Sequence, residues 1–125
     1  PELKNDEPKQ ILLSLLSNNK LIGYGGLVHI SWEHLRAEIS FLCDPRIVGM
    51  VEIYRMCFLK FLEMIRDLSF KTLGLNRLFT ETFSFRKDQI SILEDFGMDI
   101  EGVLKSSYKI NGEFCDSVIQ SMTNK

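Results

Sequence analysis

The sequence predicts an α/β (α+β) domain, and three observations predict it. Apolar and polar residues alternate with period two near both ends of the chain, which marks half-buried strands. From about Met50 to Leu73 the period changes to nearly three and a half, which marks a long amphipathic helix. Asn111-Gly112 stands between two alternating runs, the strongest short hairpin signal a sequence offers. With 125 residues, 45% of them hydrophobic and 26% charged, the chain suits one compact domain, 1–125, with a real core.

The elements follow in order. The polar, twice proline-marked opening PELKNDEPKQ reads as a lead-in. Ile11 to Ser17 reads as a strand, Asn18-Asn19 as a turn and Leu21 to Ile30 as the partner strand, with Gly23, Gly25 and Gly26 marking a bulge or bend. Arg36 to Cys43 is a third antiparallel strand, ended by Asp44-Pro45 because proline cannot donate to a ladder. In the long helix, polar Glu52, Arg55, Lys60, Glu63, Asp67 and Lys71 alternate with an apolar side of Ile53, Cys57, Phe61, Met64 and Leu68, and Gly74 is the expected C-cap. Asn76 to Phe85 alternates as a strand, and Lys87 to Phe96 is a short helix stopped by Gly97. Glu101 to Ile110 and Phe114 to Met122 form the closing hairpin.

Charge and cysteine usage narrow the function. A net charge of -2 with no basic block argues against coating nucleic acid, so any phosphate binding is expected to be local. Cys43, Cys57 and Cys115 are odd in number and widely spaced, which suggests neither a disulfide framework nor a metal site and fits a reducing, cytoplasmic setting. Glu52, Arg55, Lys60, Glu63 and Arg66 interrupt the longest apolar region, so no membrane span is expected.

The most informative stretch runs from Arg36 to Gly74, where a strand passes through Arg46-Ile47-Val48-Gly49 into the long helix. A helix starting directly off a strand end aims its free backbone N–H groups and positive dipole end at whatever lies there, which makes an anion seat. Dinucleotides, nucleoside triphosphates and pyrophosphate-bearing cofactors are all held this way. The absence of a Walker lysine after Gly49 disfavours a nucleotide-binding regulatory domain.

Seven fragments in order, GYGGLVHI, RAEISFLCDP, RIVGMV, LGLNRLF, ISILEDFGM, EGVLK and GEFCDS, carry a resemblance. The chain resembles the C-terminal two-thirds or more of the GNAT superfamily of acetyl-coenzyme A-dependent N-acetyltransferases. It is most similar to the branch holding ribosomal-protein N-terminal and amino-sugar acetyltransferases. The resemblance implies a mixed, mainly antiparallel sheet flanked by a long and a short helix, with acetyl-CoA as co-substrate. Arg46 and Gly49 match two fixed positions of the family's phosphate turn, and Val51 departs from a third that is glycine or alanine. By that likeness the backbone amides of Ile47, Val48, Gly49, Met50 and Val51 cradle the pyrophosphate and Arg46 adds a charged hydrogen bond. Backbone groups of Phe41, Leu42 and Cys43 pair with the pantetheine arm, which lies in a gap between two splayed strands. Cys43 itself reads as a small apolar residue, since direct transfer to an amine needs no acyl-enzyme.

Amine acetylation poses two proton problems. An alkylamine of pKa about 10.4 loses its proton at neutral pH at a cost of roughly 5 kcal/mol without a base. Glu38, matching the family's AEI glutamate, is the first candidate base, followed by His29 and Glu81. On the acid side the family's Asn, Ser and Tyr fall on Arg86, Gln89 and Leu93. Arg86 suits a phosphate or a thiolate, and Gln89 can donate a hydrogen bond to sulfur. Three explanations stand open: a donor elsewhere such as Tyr54 or Tyr108, an unassisted thiolate, or a silent coenzyme- or partner-binding module. Trp32, Phe83 and Phe85 fall near the expected cleft and suit a ring-bearing acceptor. Relatives begin with a strand and two helices that wall the acceptor site, so the chain is expected to be trimmed or completed by another chain, and a homodimer is expected. The expected function is acetyl transfer to a primary amine, a protein N-terminus or an amino sugar.

Overall fold

Among the described residues six strands form one sheet, and its order departs from sequence order only where the chain crosses over. The computed structural model describes residues 8–17, 20–43 and 51–124. The strands are β1 (Ile11–Ser17), β2 (Lys20–Ser31), β3 (Arg36–Cys43), β4 (Arg77–Phe83), β5 (Asp99–Ile110) and β6 (Glu113–Thr123). They lie in the order β1-β2-β3-β4-β6-β5. Every neighbouring pair is antiparallel except β3 and β4, which run parallel because the long helix carries the chain back between them. That helix is α1 (Val51–Asp67), continued by a π-helical turn at Leu68–Thr72, and the second is α2 (Lys87–Phe96).

Helix boundaries agree closely with the sequence. For α2 the predicted and observed ranges coincide, and Gly97 ends the helix at φ 115 while the Met98 N–H donates to Leu93 O at 2.9 Å. Both turn residues of the last hairpin have positive φ, 51 at Asn111 and 81 at Gly112, as a primed turn demands. The α1 start near Met50 and the Asn18-Asn19 turn lie outside the described residues.

Both helices cover the same face of the sheet. Leu27, Ala37, Ile39 and Leu78 from the strands meet Phe58, Phe61, Leu62 and Ile65 of α1 and Ile92 and Leu93 of α2 in one buried cluster. Each large apolar side chain fully buried there contributes about 1.5–3 kcal/mol. The apolar stripe of α1 differs from the expected one: Phe61 is buried, Cys57 and Leu68 are half-buried, and Ile53 and Met64 are exposed. The helix is apolar on more than one side, so spacing alone does not choose the face; the sheet chooses Phe58, Leu62 and Ile65.

The β2 glycines also differ in part. The β1–β2 register shifts opposite Gly23, as a bulge would require. Gly25 instead admits the Phe61 ring, which a Cβ would strike, and a Cβ at Gly26 would strike the Ile11 carbonyl of β1. Close approach, not bending, is the use of these two. Because the Gly26 neighbour is backbone and cannot rotate away, Gly26→Ala is expected to lower unfolding free energy by about 1–3 kcal/mol. Urea denaturation of the two proteins measures it.

Candidate active site

Among the described residues three pairs join β3 to β4: Arg36 with Arg77, Ala37 with Leu78 and Glu38 with Phe79. Beyond them β3 stays bound to β2 as far as Cys43 opposite Gly23, and β4 stays bound to β6 as far as Phe83 opposite Ser117. Each strand is thus held on its far side while the near sides part. Different aromatic groups hold the two margins. Phe41 stacks on Phe58 at 4.5 Å and 7° and packs against Phe61 and Tyr54, which draws β3 toward α1. Phe83 stacks on Phe85 at 5.5 Å and meets Tyr108 edge-on at 5.0 Å and 85°, which ties β4 toward β5. A wedge results, and an extended chain bearing amide groups can enter it as an added strand.

Of the expected site residues, Phe41, Leu42 and Cys43 lie on the β3 margin of this wedge. Phe41 is half-buried on the helix-covered face, and the backbones of Leu42 and Cys43 pair with Tyr24 and Gly23 on the side away from the gap. Arg46, Ile47, Val48, Gly49 and Met50 lie outside the described residues, and Val51 is the first residue of α1. Arg86 is the N-cap residue of α2, exposed, with its guanidinium 5.5 Å from the Phe83 ring centroid. Gln89 is half-buried in the first turn of α2. Glu38 lies across the sheet from it, so the structure does not join the two directly. Leu93 is fully buried in the core, and Trp32 gives its indole N–H to Pro8 O at 2.7 Å as a structural tie.

The opposite, outer face is polar, and two bulges aim its side chains. Between Val28 and Ser31 β2 gains a residue over β3, and His29 takes φ 50 there. Its Nδ1 lies 2.8 Å from Glu38 Oε1, with the imidazole side chain 77% exposed and the carboxylate 21%, so one end of the pair touches solvent. On β5 the chain uses four steps between Leu104 and Tyr108 where β6 uses two between Ser117 and Cys115. Ser106 in that bulge has φ 50, and its N–H donates to Asp116 Oδ1 at 2.8 Å.

The second bulge delivers a hydroxyl chain that the sequence did not disclose. Ser117 Oγ donates to Glu81 Oε2 at 2.7 Å, and the Ser107 and Ser117 hydroxyls are 2.8 Å apart. The Tyr108 phenol also lies within electrostatic reach of Glu81. Partial burial raises the Tyr108 pKa, and the charges of Glu81 and Glu38 push it further up. At the narrow end of the wedge Arg77 pairs with Glu101 and holds its carboxyl below the usual range. Neither Ser107 nor Ser117 stood out in sequence, because a serine on an alternating strand reads as solvent-facing.

A sheet opened between two parallel strands, closed by helices on one face and set with carboxylates on the other, is the frame of an acyl-group transferase. Residues 2–119 match the acetyltransferase (GNAT) domain, and the chain belongs to that family and is an acyltransferase. No curated protein matches the sequence. Among solved structures it is similar to the spermidine/spermine N-acetyltransferase SpeG of Vibrio cholerae, at 22% identity and TM-score 0.81 over 94% of this chain and 69% of that one. A probable acetyltransferase is similar at 21% identity and TM-score 0.83, over 93% of this chain and 63% of that one. At such identities these two show the shared fold.

The Ser106 N–H holds the Asp116 carboxyl below its ordinary range, with Lys105 at 3.5 Å helping. A lowered folded pKa adds stability above the unfolded value, near 4, and that stability is lost as pH falls through the folded one. Asp116→Asn is therefore expected to be less stable than the parent at neutral pH, with the gap closing as pH falls through the lowered folded value. Denaturation series across that range read the difference.

Proposed function

We propose that this domain transfers acetyl from acetyl-coenzyme A directly to a primary amine. The observation that carries the reading is the early end of the β3–β4 ladder at Glu38 and Phe79. The pantetheine arm enters that wedge as a strand, pairing with backbone groups of Phe41, Leu42 and Cys43, and one of their N–H groups polarises the thioester carbonyl. Arg46 and the amides of Ile47, Val48, Gly49, Met50 and Val51 receive the pyrophosphate at the start of α1. Arg86 takes a further phosphate oxygen or the developing thiolate, and Gln89 donates to sulfur from the helix side. Glu38 takes the first proton from the acceptor ammonium, and His29, in contact with it and with solvent, passes that proton out.

The acceptor is an amine that arrives as a cation. A protein N-terminus or an amino sugar fits the sequence fragments, and the polyamines named for SpeG add a third class. Glu38 and Glu81 on the open face favour any of these over a neutral or anionic substrate. The free thiols of Cys57 and Cys115 accord with a cytoplasmic setting. Edge strand β5, with Ile100, Val103 and Leu104 exposed, supports a homodimer that sedimentation can test.

One observation favours a silent coenzyme-binding module instead: Leu93, at the family's tyrosine position, is 0% exposed, so that position offers no proton donor. Two measurements separate the readings. Calorimetry is expected to show acetyl-CoA binding that Gly49→Glu abolishes, because a carboxylate would face the pyrophosphate. Thiol release is expected with at least one of an N-terminal peptide, an amino sugar and spermidine, and Glu38→Gln is expected to slow it about 100-fold. Binding without thiol release from any amine would leave the silent module; no binding at millimolar ligand would remove both.

A further inference from the structure

Acetylating an ammonium removes two protons from nitrogen, and Glu38 with His29 accounts for only the first. The second must leave nitrogen while a proton reaches the departing sulfur, yet α2 has only buried Leu93 where its relatives carry a tyrosine. We propose that Tyr108 is the proton donor to the leaving thiolate and that Glu81 recharges it, both contacting the reacting atoms. This rests on the acetyl-transfer reading.

Position supports the assignment. Glu81 lies two residues beyond Phe79, the last β4 residue paired with β3, so it stands on the free margin of the wedge. Its side chain is on the outer face, the side left open by the helices and therefore the side from which an amine approaches. Ser117, backed by Ser107, holds Glu81 Oε2, so the carboxylate is fixed by hydroxyls that do not neutralise its charge. Tyr108 approaches the same side of β4 from β5, across β6, with its ring set edge-on to Phe83 at 5.0 Å and Glu81 acting on its phenol electrostatically. The β5 bulge held by Asp116 places the residue there. Tyr108 is partly exposed, and desolvation together with the charges of Glu81 and Glu38 raises its pKa. Tyr54, the other tyrosine considered, packs at 6.1 Å from Phe41 and 5.8 Å from Phe58 on the helix side.

The step balances. The amine nitrogen bonds to the thioester carbon, and Glu81 takes the remaining surplus proton from nitrogen. Collapse of the tetrahedral adduct breaks the C–S bond, and its electron pair goes to sulfur, which takes the Tyr108 proton. The phenolate then takes the proton from Glu81. Amide, free thiol, neutral phenol and carboxylate remain, with no further reactant.

A mutant cycle tests this in the whole chain, with the best amine of the panel. Tyr108→Phe keeps the ring on Phe83, and Glu81→Gln keeps the hydrogen-bonding shape. Each is expected to lower kcat about 100-fold. The double variant should be no more than about threefold slower than either, because the two act as one unit. The acetyl-CoA Kd should stay within about twofold of the parent in all three, which also shows that they fold. A Tyr108→Phe variant within about threefold of the parent, or a double variant showing the product of the two losses, would overturn the proposal while leaving acetyl transfer standing. A parent that binds acetyl-CoA but releases no thiol overturns both.

Discussion

The parallel contact between β3 and β4 lasts for three residue pairs, and its shortness governs the molecule. A parallel pair needs a crossover, here α1, and that helix returns the chain beside the strand it left. Phe41 then anchors β3 to α1 while Phe83 joins the ring group of Phe85 and Tyr108, so separate packing holds the two margins. Closing the wedge would trade these aromatic contacts for a few backbone hydrogen bonds, each worth only about 1 kcal/mol net.

The two faces of the sheet divide the work by polarity. The inner face is a buried apolar cluster built on Leu27, Leu62, Leu78 and Leu93, which fixes the strands. On the outer face, His29 with Glu38 and Glu81 with Ser117 form two separate polar groups. Both depend on local irregularity. A regular strand would send adjacent side chains to opposite faces, whereas the bulges at His29 and Ser106, each with φ 50, alter that alternation beside the carboxylates.

Much of the fold was legible in the sequence. The extent of α2, the Asn111-Gly112 turn and the three opening strands rest on short-range chemistry that neighbouring residues complete among themselves. Of the base candidates Glu38, His29 and Glu81, the two carboxylates lie on the outer face, as strand alternation directs. Less was legible where two elements compete for one surface. Ile53 and Met64 fit an apolar stripe of α1 as well as Phe58 and Leu62 do, and only contact with the sheet separates them. Gly25 and Gly26 likewise show their use only beside Phe61 and Ile11.

Period, turn residues and caps by themselves determined the order of elements and the mixed α/β class, because those signals act over a few residues. Tertiary structure alone decided that β3 and β4 part after Glu38 and Phe79, that His29 meets Glu38, and that Tyr108, Ser107 and Ser117 converge on Glu81. Tyr108 and Glu81 are far apart along the chain, and a register shift on β5 contributes to their meeting. Packing across the whole sheet sets such meetings, and no local pattern encodes them.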